Sequence, residues 1–98
     1  MEVLFEDTLL QKLESDFAFT GGRSPAIVKV YRKRLQLIRA AVDERAFYAM
    51  KSLHYEKLKG DREGQSSMRL NDQWRLILRL VVDDRGKYAC IISIADYH

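Results

Sequence analysis

Trp74-Arg75-Leu76-Ile77-Leu78-Arg79-Leu80-Val81-Val82, then Asp83-Asp84-Arg85-Gly86, then Lys87-Tyr88-Ala89-Cys90-Ile91-Ile92-Ser93-Ile94-Ala95 is the stretch on which the fold turns. Trp74, Leu76, Leu78, Leu80 and Val82 recur at every second position, and side chains of an extended strand alternate between faces, so these five line one face of a strand. The aspartate-rich turn ends in Gly86, a residue suited to the left-handed position of a hairpin, and it leads into a last strand over about Lys87 to Ala95. Upstream, Ser66, Met68 and Leu70 keep the two-residue period, and Asn71-Asp72 marks the turn between. Three consecutive strands of this kind form an antiparallel unit.

The first half of the chain has a different period. Val3 to Phe5 reads as a short strand free to join a sheet edge. Asp7 is placed to cap a helix over about Thr8 to Phe17, in which Leu9, Leu10, Leu13 and Phe17 fall at helical spacing. Gly21-Gly22 interrupt the chain and Ser24-Pro25 restart it: a serine oxygen caps free amides while proline takes the first helical position, where its missing N–H costs nothing. This second helix runs to about Val42. Ile27, Val30, Tyr31, Leu35, Ile38 and Val42 form its apolar stripe, and Lys29, Arg32, Lys33, Gln36 and Arg39 lie opposite. Asp43 to Met50 add a short third helix. The expected architecture is α+β, with two to three N-terminal helices packed on one face of a small curved, mainly antiparallel sheet.

A chain of 98 residues, 47% of them hydrophobic, suits a single domain over residues 1–98 with one modest core. Lys and Arg total 17 against 14 Asp and Glu, a formal charge of +3 that is mild for a protein meeting a polyanion. The charge is zoned, however: residues 1–20 carry five acids and one base, whereas residues 21–45 carry seven bases and two acids. The single cysteine, Cys90, lies in an apolar strand pattern, which excludes an internal disulfide or thiolate metal site and points to a reducing compartment. The amino-terminal segment lacks the basic start and long apolar run of a signal peptide, and charged residues break every apolar run short of a membrane span. The expectation is a soluble cytoplasmic protein.

Asp96-Tyr97-His98 follow the apolar strand directly, so a carboxylate, a phenol and an imidazole are delivered where that strand ends. An imidazole titrates near pH ~6.5 and serves as acid or base around neutrality, and Asp96 or Tyr97 can orient it or share its proton. Arg75, flanked by Trp74 and Leu76, carries a fork that matches two phosphate oxygens. The alternative, a structural arginine paired with Asp96 or another acid, stays open. In Leu58-Lys59-Gly60-Asp61-Arg62-Glu63-Gly64 two glycines bracket a charged turn, and bases recur at Lys57, Lys59, Arg62, Arg69, Arg75 and Arg79. Taken singly, Lys59, Arg62 and Arg69 read as solvated charge. Together they suit a phosphodiester, which needs cations both for its ground state and for the extra charge of a pentacoordinate transition state. Two distant histidines, His54 and His98, without thiolates argue against zinc, and neither a phosphate loop nor a nucleophile elbow is present. Metal-independent phosphodiester chemistry is what these residue types suit.

These motifs resemble the HigB group of bacterial toxins, within the RelE/ParE superfamily of toxin–antitoxin systems. The matching residues are Leu58 to Gly64, the run Met68-Arg69-Leu70-Asn71-Asp72-Gln73-Trp74-Arg75, and the terminal Asp96-Tyr97-His98; the basic helix matches by length and position. The resemblance implies a toxin that enters the ribosomal A site and cuts translated mRNA with no metal and no cofactor. It assigns Lys59 and Arg75 to the scissile phosphate and Asp96, Tyr97 and His98 to orientation and proton transfer. Attack of an RNA 2′-hydroxyl on the adjacent phosphate would leave a 2′,3′-cyclic phosphate and a 5′-hydroxyl. Lys29, Arg32, Lys33 and Arg39, with Arg62 and Arg69, are the implied RNA contacts. The implied partner is a helix-turn-helix antitoxin of the HigA kind. One departure stands out: a familiar HigB-like pattern has histidine three residues before the lysine of the turn, where this chain has Glu56, and its nearest histidine is His54; a β-bulge would be needed to restore the register. Two other readings share the scaffold: a ParE-like toxin that inhibits DNA gyrase without catalysis, and an inactive binding scaffold.

Overall fold

The computed structural model describes residues 1–96; Tyr97 and His98, two of the expected site residues, lie outside the described residues. The chain runs β1 (Glu2–Phe5), α1 (Thr8–Ser15), α2 (Pro25–Ala40), α3 (Arg45–Ala49), β2 (Glu56–Lys57), β3 (Ser66–Arg69), β4 (Trp74–Asp83) and β5 (Gly86–Asp96), with single 3₁₀ turns at Lys51–Leu53 and Gly60–Arg62. The strands form one sheet in the order β1-β5-β4-β3-β2. β1 joins β5 in parallel, and every other pairing is antiparallel. The α+β expectation therefore holds, with the N-terminal strand at an edge. The two-residue strand β2 had no signature in the sequence, being too short to show a period.

The caps form as their residue types dictate. Asp7 accepts from the amide of Leu9 at 2.7 Å, and Ser24 accepts from the amide of Ile27 at 3.3 Å ahead of Pro25. Both helices end sooner than their apolar spacing suggests. Asp16 is extended, so Phe17 leaves the stripe of α1 and is 86% exposed. Ala41 is likewise extended and takes the buried place, leaving Val42 at 85% exposure, while Val28 joins the buried stripe. Val82, the fifth member of the alternating set, is 69% exposed near the end of β4.

The core lies between the helices and one sheet face. Tyr31, Leu35 and Ile38 of α2 are fully buried with Met68, Leu76, Leu78, Ala89 and Ile91 of the sheet. Ile91 and Ile94 both enter this core although three residues apart, a spacing that would send them to opposite faces of a regular strand. The register resolves the conflict: Ile77 pairs with Ser93 and Leu78 with Ile91, so Ile92 is the extra residue of a β-bulge. A bulge thus occurs in β5, and none restores His54 to the histidine position of the familiar pattern.

Helix α1 is held to α2 by polar contacts as well as packing. The Tyr31 hydroxyl donates to the Leu10 carbonyl at 2.7 Å, and burial, with Glu14 nearby, pushes the phenol well above its ordinary pKa. Arg32 donates to the carbonyls of Leu13, Asp16, Phe17 and Phe19 at 3.0–3.4 Å, satisfying groups at and beyond a helix C-terminus that lack intrahelical partners. Arg39 grips Glu14 through two bonds of 3.0 and 2.7 Å. At the far end, Lys87 of β5 meets Glu44 at 2.6 Å and ties the start of α3 to the sheet.

Two measurements check this account. Tyr31→Phe removes a buried hydrogen bond and lowers the urea midpoint by the equivalent of about 1 kcal/mol with the m value unchanged. Hydrogen bonding to Lys87 holds the Glu44 carboxyl below its ordinary pKa. A depressed folded pKa stabilises the fold above the unfolded value of about 4.3, and the gain disappears as pH falls through the lowered one. Thermal melts of wild type and Glu44→Gln therefore differ at pH 7 and draw together as pH falls below the ordinary carboxyl range and through the lowered pKa.

Candidate functional site

The sheet face opposite the helices carries the candidate site. Alternation along β4 sends Trp74, Leu76 and Leu78 to the core and Arg75 and Ile77 to the open face. The pairings set their neighbours: Arg75 lies between Arg69 of β3 and Ala95 of β5, and Ile77 lies between Ser67 and Ser93. Glu56 of β2 pairs with Ser67 and completes the row.

The β2–β3 connection folds over this row. Gly60 and Gly64 both adopt positive φ, 66° and 89°, which side chains resist, and between them the chain makes the tight turn Gly60–Arg62. The amide of Leu58 donates to the Gln65 carbonyl at 2.9 Å and closes the loop. The result is a pocket of about 270 Å³ lined by Leu58, Arg62, Ser67, Arg75, Ile77, Ala95 and Asp96.

Whereas Arg62 is exposed, Arg75 is its more buried cation. Its side chain is only 11% exposed, and Nη1 donates to the His54 carbonyl at 3.0 Å and to Ser67 Oγ at 3.4 Å. The Glu56 carboxylate stands 3.9 Å from the same nitrogen. Glu56, the residue at the place where the familiar pattern has histidine, is thus an acid that faces Arg75. Asp96, at the end of β5, accepts from Gln73 Nε2 at 3.2 Å and contributes to the pocket wall.

The expected site residues divide. Arg75, Asp96 and Arg62 meet around one pocket. Lys59 sits exposed on the covering turn, between Leu58 and Arg62, and is not part of the lining. Arg69 points to an adjoining recess of about 250 Å³ with His54, Asn71, Asp72 and Arg75, and it pairs there with Asp72. On α2, Lys29 and Lys33 are exposed, whereas Arg32 and Arg39 are engaged with α1 as described. Tyr97 and His98 follow Asp96 outside the described residues. Ser67, Glu56 and the His54 carbonyl were not foreseen; only a known register for the short strand β2 would have brought them beside Arg75. Among the described residues no group of three or more His, Cys, Asp or Glu side chains is arranged to hold a metal ion, and no helix is long and apolar enough to cross a membrane.

Comparison with known proteins agrees with this geometry. The model of HigB-like toxins, described as RelE-like toxins of the type II toxin–antitoxin system HigB, matches residues 4–98. Among solved structures, a YoeB/ParE toxin from Agrobacterium tumefaciens superposes with a TM-score of 0.64 at 19% identity, covering 100% of both chains. The YoeB-YefM complex from Staphylococcus aureus gives 0.61 at 22% identity, covering 100% of this chain and 97% of that one. At such identities the likeness is one of fold. No curated protein matches in sequence.

The ion-pair alternative for Arg75 can be measured. At 3.9 Å the Glu56 contact is longer than a hydrogen bond, so a double-mutant cycle of Glu56→Gln with Arg75→Gln in urea denaturation yields a coupling below about 1 kcal/mol.

Proposed function

The chain belongs to the RelE-like, HigB-type toxins of type II toxin–antitoxin systems, and from that premise we propose that it is a ribosome-dependent mRNA endonuclease. The observation that supports this most directly is the convergence of Arg75, Arg62, Ser67 and Asp96 on one pocket at the end of β5. A largely buried guanidinium to which the His54 carbonyl and the Ser67 hydroxyl are bound keeps its geometry as charge develops on a phosphate, which is how a preorganised cation favours a transition state over a ground state.

In this reading the mRNA supplies its own nucleophile. A 2′-hydroxyl attacks the adjacent phosphorus, the P–O5′ bond breaks, and the products are a 2′,3′-cyclic phosphate and a 5′-hydroxyl. The chain aligns the reacting oxygens, accepts the 2′ proton and returns one to the leaving oxygen. Arg75 and Arg62 neutralise the equatorial oxygens, with Lys59 approaching from the covering turn once RNA is bound. Asp96, Tyr97 and His98 carry the proton work. Glu56 offers a second carboxylate near the phosphate position.

Lys29 and Lys33, with Arg62 and Arg69, form the docking charges toward ribosomal RNA in the A site; Arg32 and Arg39 contribute less because α1 already engages them. The same reading makes residues 1–98 one toxin domain acting in the cytoplasm. Its neutralising partner is a helix-turn-helix antitoxin of the HigA kind. Solved structures of the staphylococcal neighbour hold a YoeB-YefM toxin–antitoxin complex, which supports the expectation of an antitoxin partner.

Mapping of mRNA 5′ ends after induction tests the proposal. Wild type produces new ends bearing 5′-hydroxyls within translated codons, Arg75→Lys lowers the cleavage rate by about 10²-fold, and Arg75→Ala with His98→Ala abolishes it. Unchanged cutting in the double variant rejects the site. Intact mRNA in wild-type cells, with inhibited supercoiling by gyrase, rejects the nuclease in favour of a ParE-like toxin.

A further inference from the structure

His54 is the one non-glycine residue with positive φ among the described residues, at φ 46° and ψ 46°. A side chain resists this left-handed conformation, which persists only where the surroundings impose it. Here they do so from both sides. Leu53 is fully buried; Tyr55 is also buried, packed against the rings of Phe47 and Tyr48 at 5.2 and 4.9 Å between centroids. The amide of His54 donates to the Lys51 carbonyl at 3.1 Å and ends the preceding turn. With its neighbours pinned, residue 54 makes the left-handed step between the turn and β2, and its carbonyl accepts from Arg75 Nη1 at 3.0 Å.

The side chain has a different setting. His54 is exposed and borders the recess that Arg75 shares with Arg69, Asn71 and Asp72. The pocket that Arg75 forms with Arg62, Ser67 and Asp96 does not include His54 in its lining. We propose that His54 serves the site through its backbone: the left-handed turn aims a carbonyl at Arg75 and fixes the guanidinium over the pocket, while the imidazole takes no part in the chemistry. His54 is then a positioning residue. The inference rests on the reading of Arg75 as the phosphate-binding group.

The roles of backbone and imidazole separate by substitution. Asparagine tolerates the left-handed region and glycine enters it freely, yet neither has an imidazole; valine has neither the ring nor the conformational tolerance. Full-length toxin carrying His54→Asn, His54→Gly or His54→Val is to be compared in single-turnover cleavage on programmed ribosomes. NMR of the Arg75 side chain, reporting guanidinium rotation without RNA, is the second readout. The asparagine and glycine variants retain cleavage and slow guanidinium rotation. The valine variant cuts about tenfold more slowly at saturating toxin, with ribosome affinity unchanged, and its guanidinium rotates faster. If the valine variant does not fold, His54→Ala takes its place.

Equal loss in all variants with guanidinium rotation unchanged overturns the proposal in favour of a catalytic imidazole. Wild-type cleavage by the valine variant overturns it as well. Absence of cleavage by the wild type defeats the nuclease reading alone, because guanidinium rotation across the series still decides whether the turn at His54 holds Arg75.

Discussion

The pairing of β4 with β5 sets both faces of the molecule at once, because each residue it commits to the core fixes its neighbour on the other side. Leu76 and Leu78 meet Ile94 and Ile91 beneath α2, and the residues between them, Arg75 and Ile77, are thereby turned to the face without helices. The single bulge at Ile92 lets two isoleucines at an odd spacing share the core. It also leaves Ser93 and Ala95 as the partners of Ile77 and Arg75. Those small side chains leave space beside the guanidinium, so the packing that stabilises the sheet also makes room for a pocket.

The arginines divide by what a planar fork can reach. Arg32 gathers four carbonyls around the end of α1, Arg39 clasps Glu14, and Arg34 donates to the Arg69 carbonyl at 3.0 Å at the end of β3. Each satisfies backbone or carboxylate oxygens that would otherwise compete for water, a task for which a rigid multi-donor group suits better than an ammonium. The lysines of the same helix, Lys29 and Lys33, stay exposed. A basic helix is therefore partly a structural brace, and the charge it offers a polyanion is smaller than its composition implies.

Around Arg75 neutral groups from different segments of the chain share in orienting the guanidinium. The His54 carbonyl and the Ser67 hydroxyl accept from it, and the carboxylate of Glu56 stands farther away than either. Neutral acceptors of this kind orient a guanidinium without cancelling its charge. The cluster draws on β2, β3, β4 and the turn before β2, so its precision depends on the sheet being assembled.

Periodicity determined most of the architecture. The two-residue alternation from Trp74 onward and the capped amphipathic helix from Ser24 each carry a local signal strong enough to define an element, and the order of those elements leaves α+β as the economical packing. That Arg75, Arg62 and Asp96 lie near one another was legible because their positions follow from strand phase and from a glycine-bracketed turn. Tertiary structure alone decided the rest. Strand β2 is two residues long and has no period, and the bulge at Ile92 reflects competition for one core, which no local pattern records. The engagement of Arg32 and Arg39 with α1 depends on where a neighbouring helix ends. Glu56, Ser67 and the carbonyl of His54 come to Arg75 through pairings between residues distant in the chain, since a contact across a sheet is set by register, and register belongs to the folded whole.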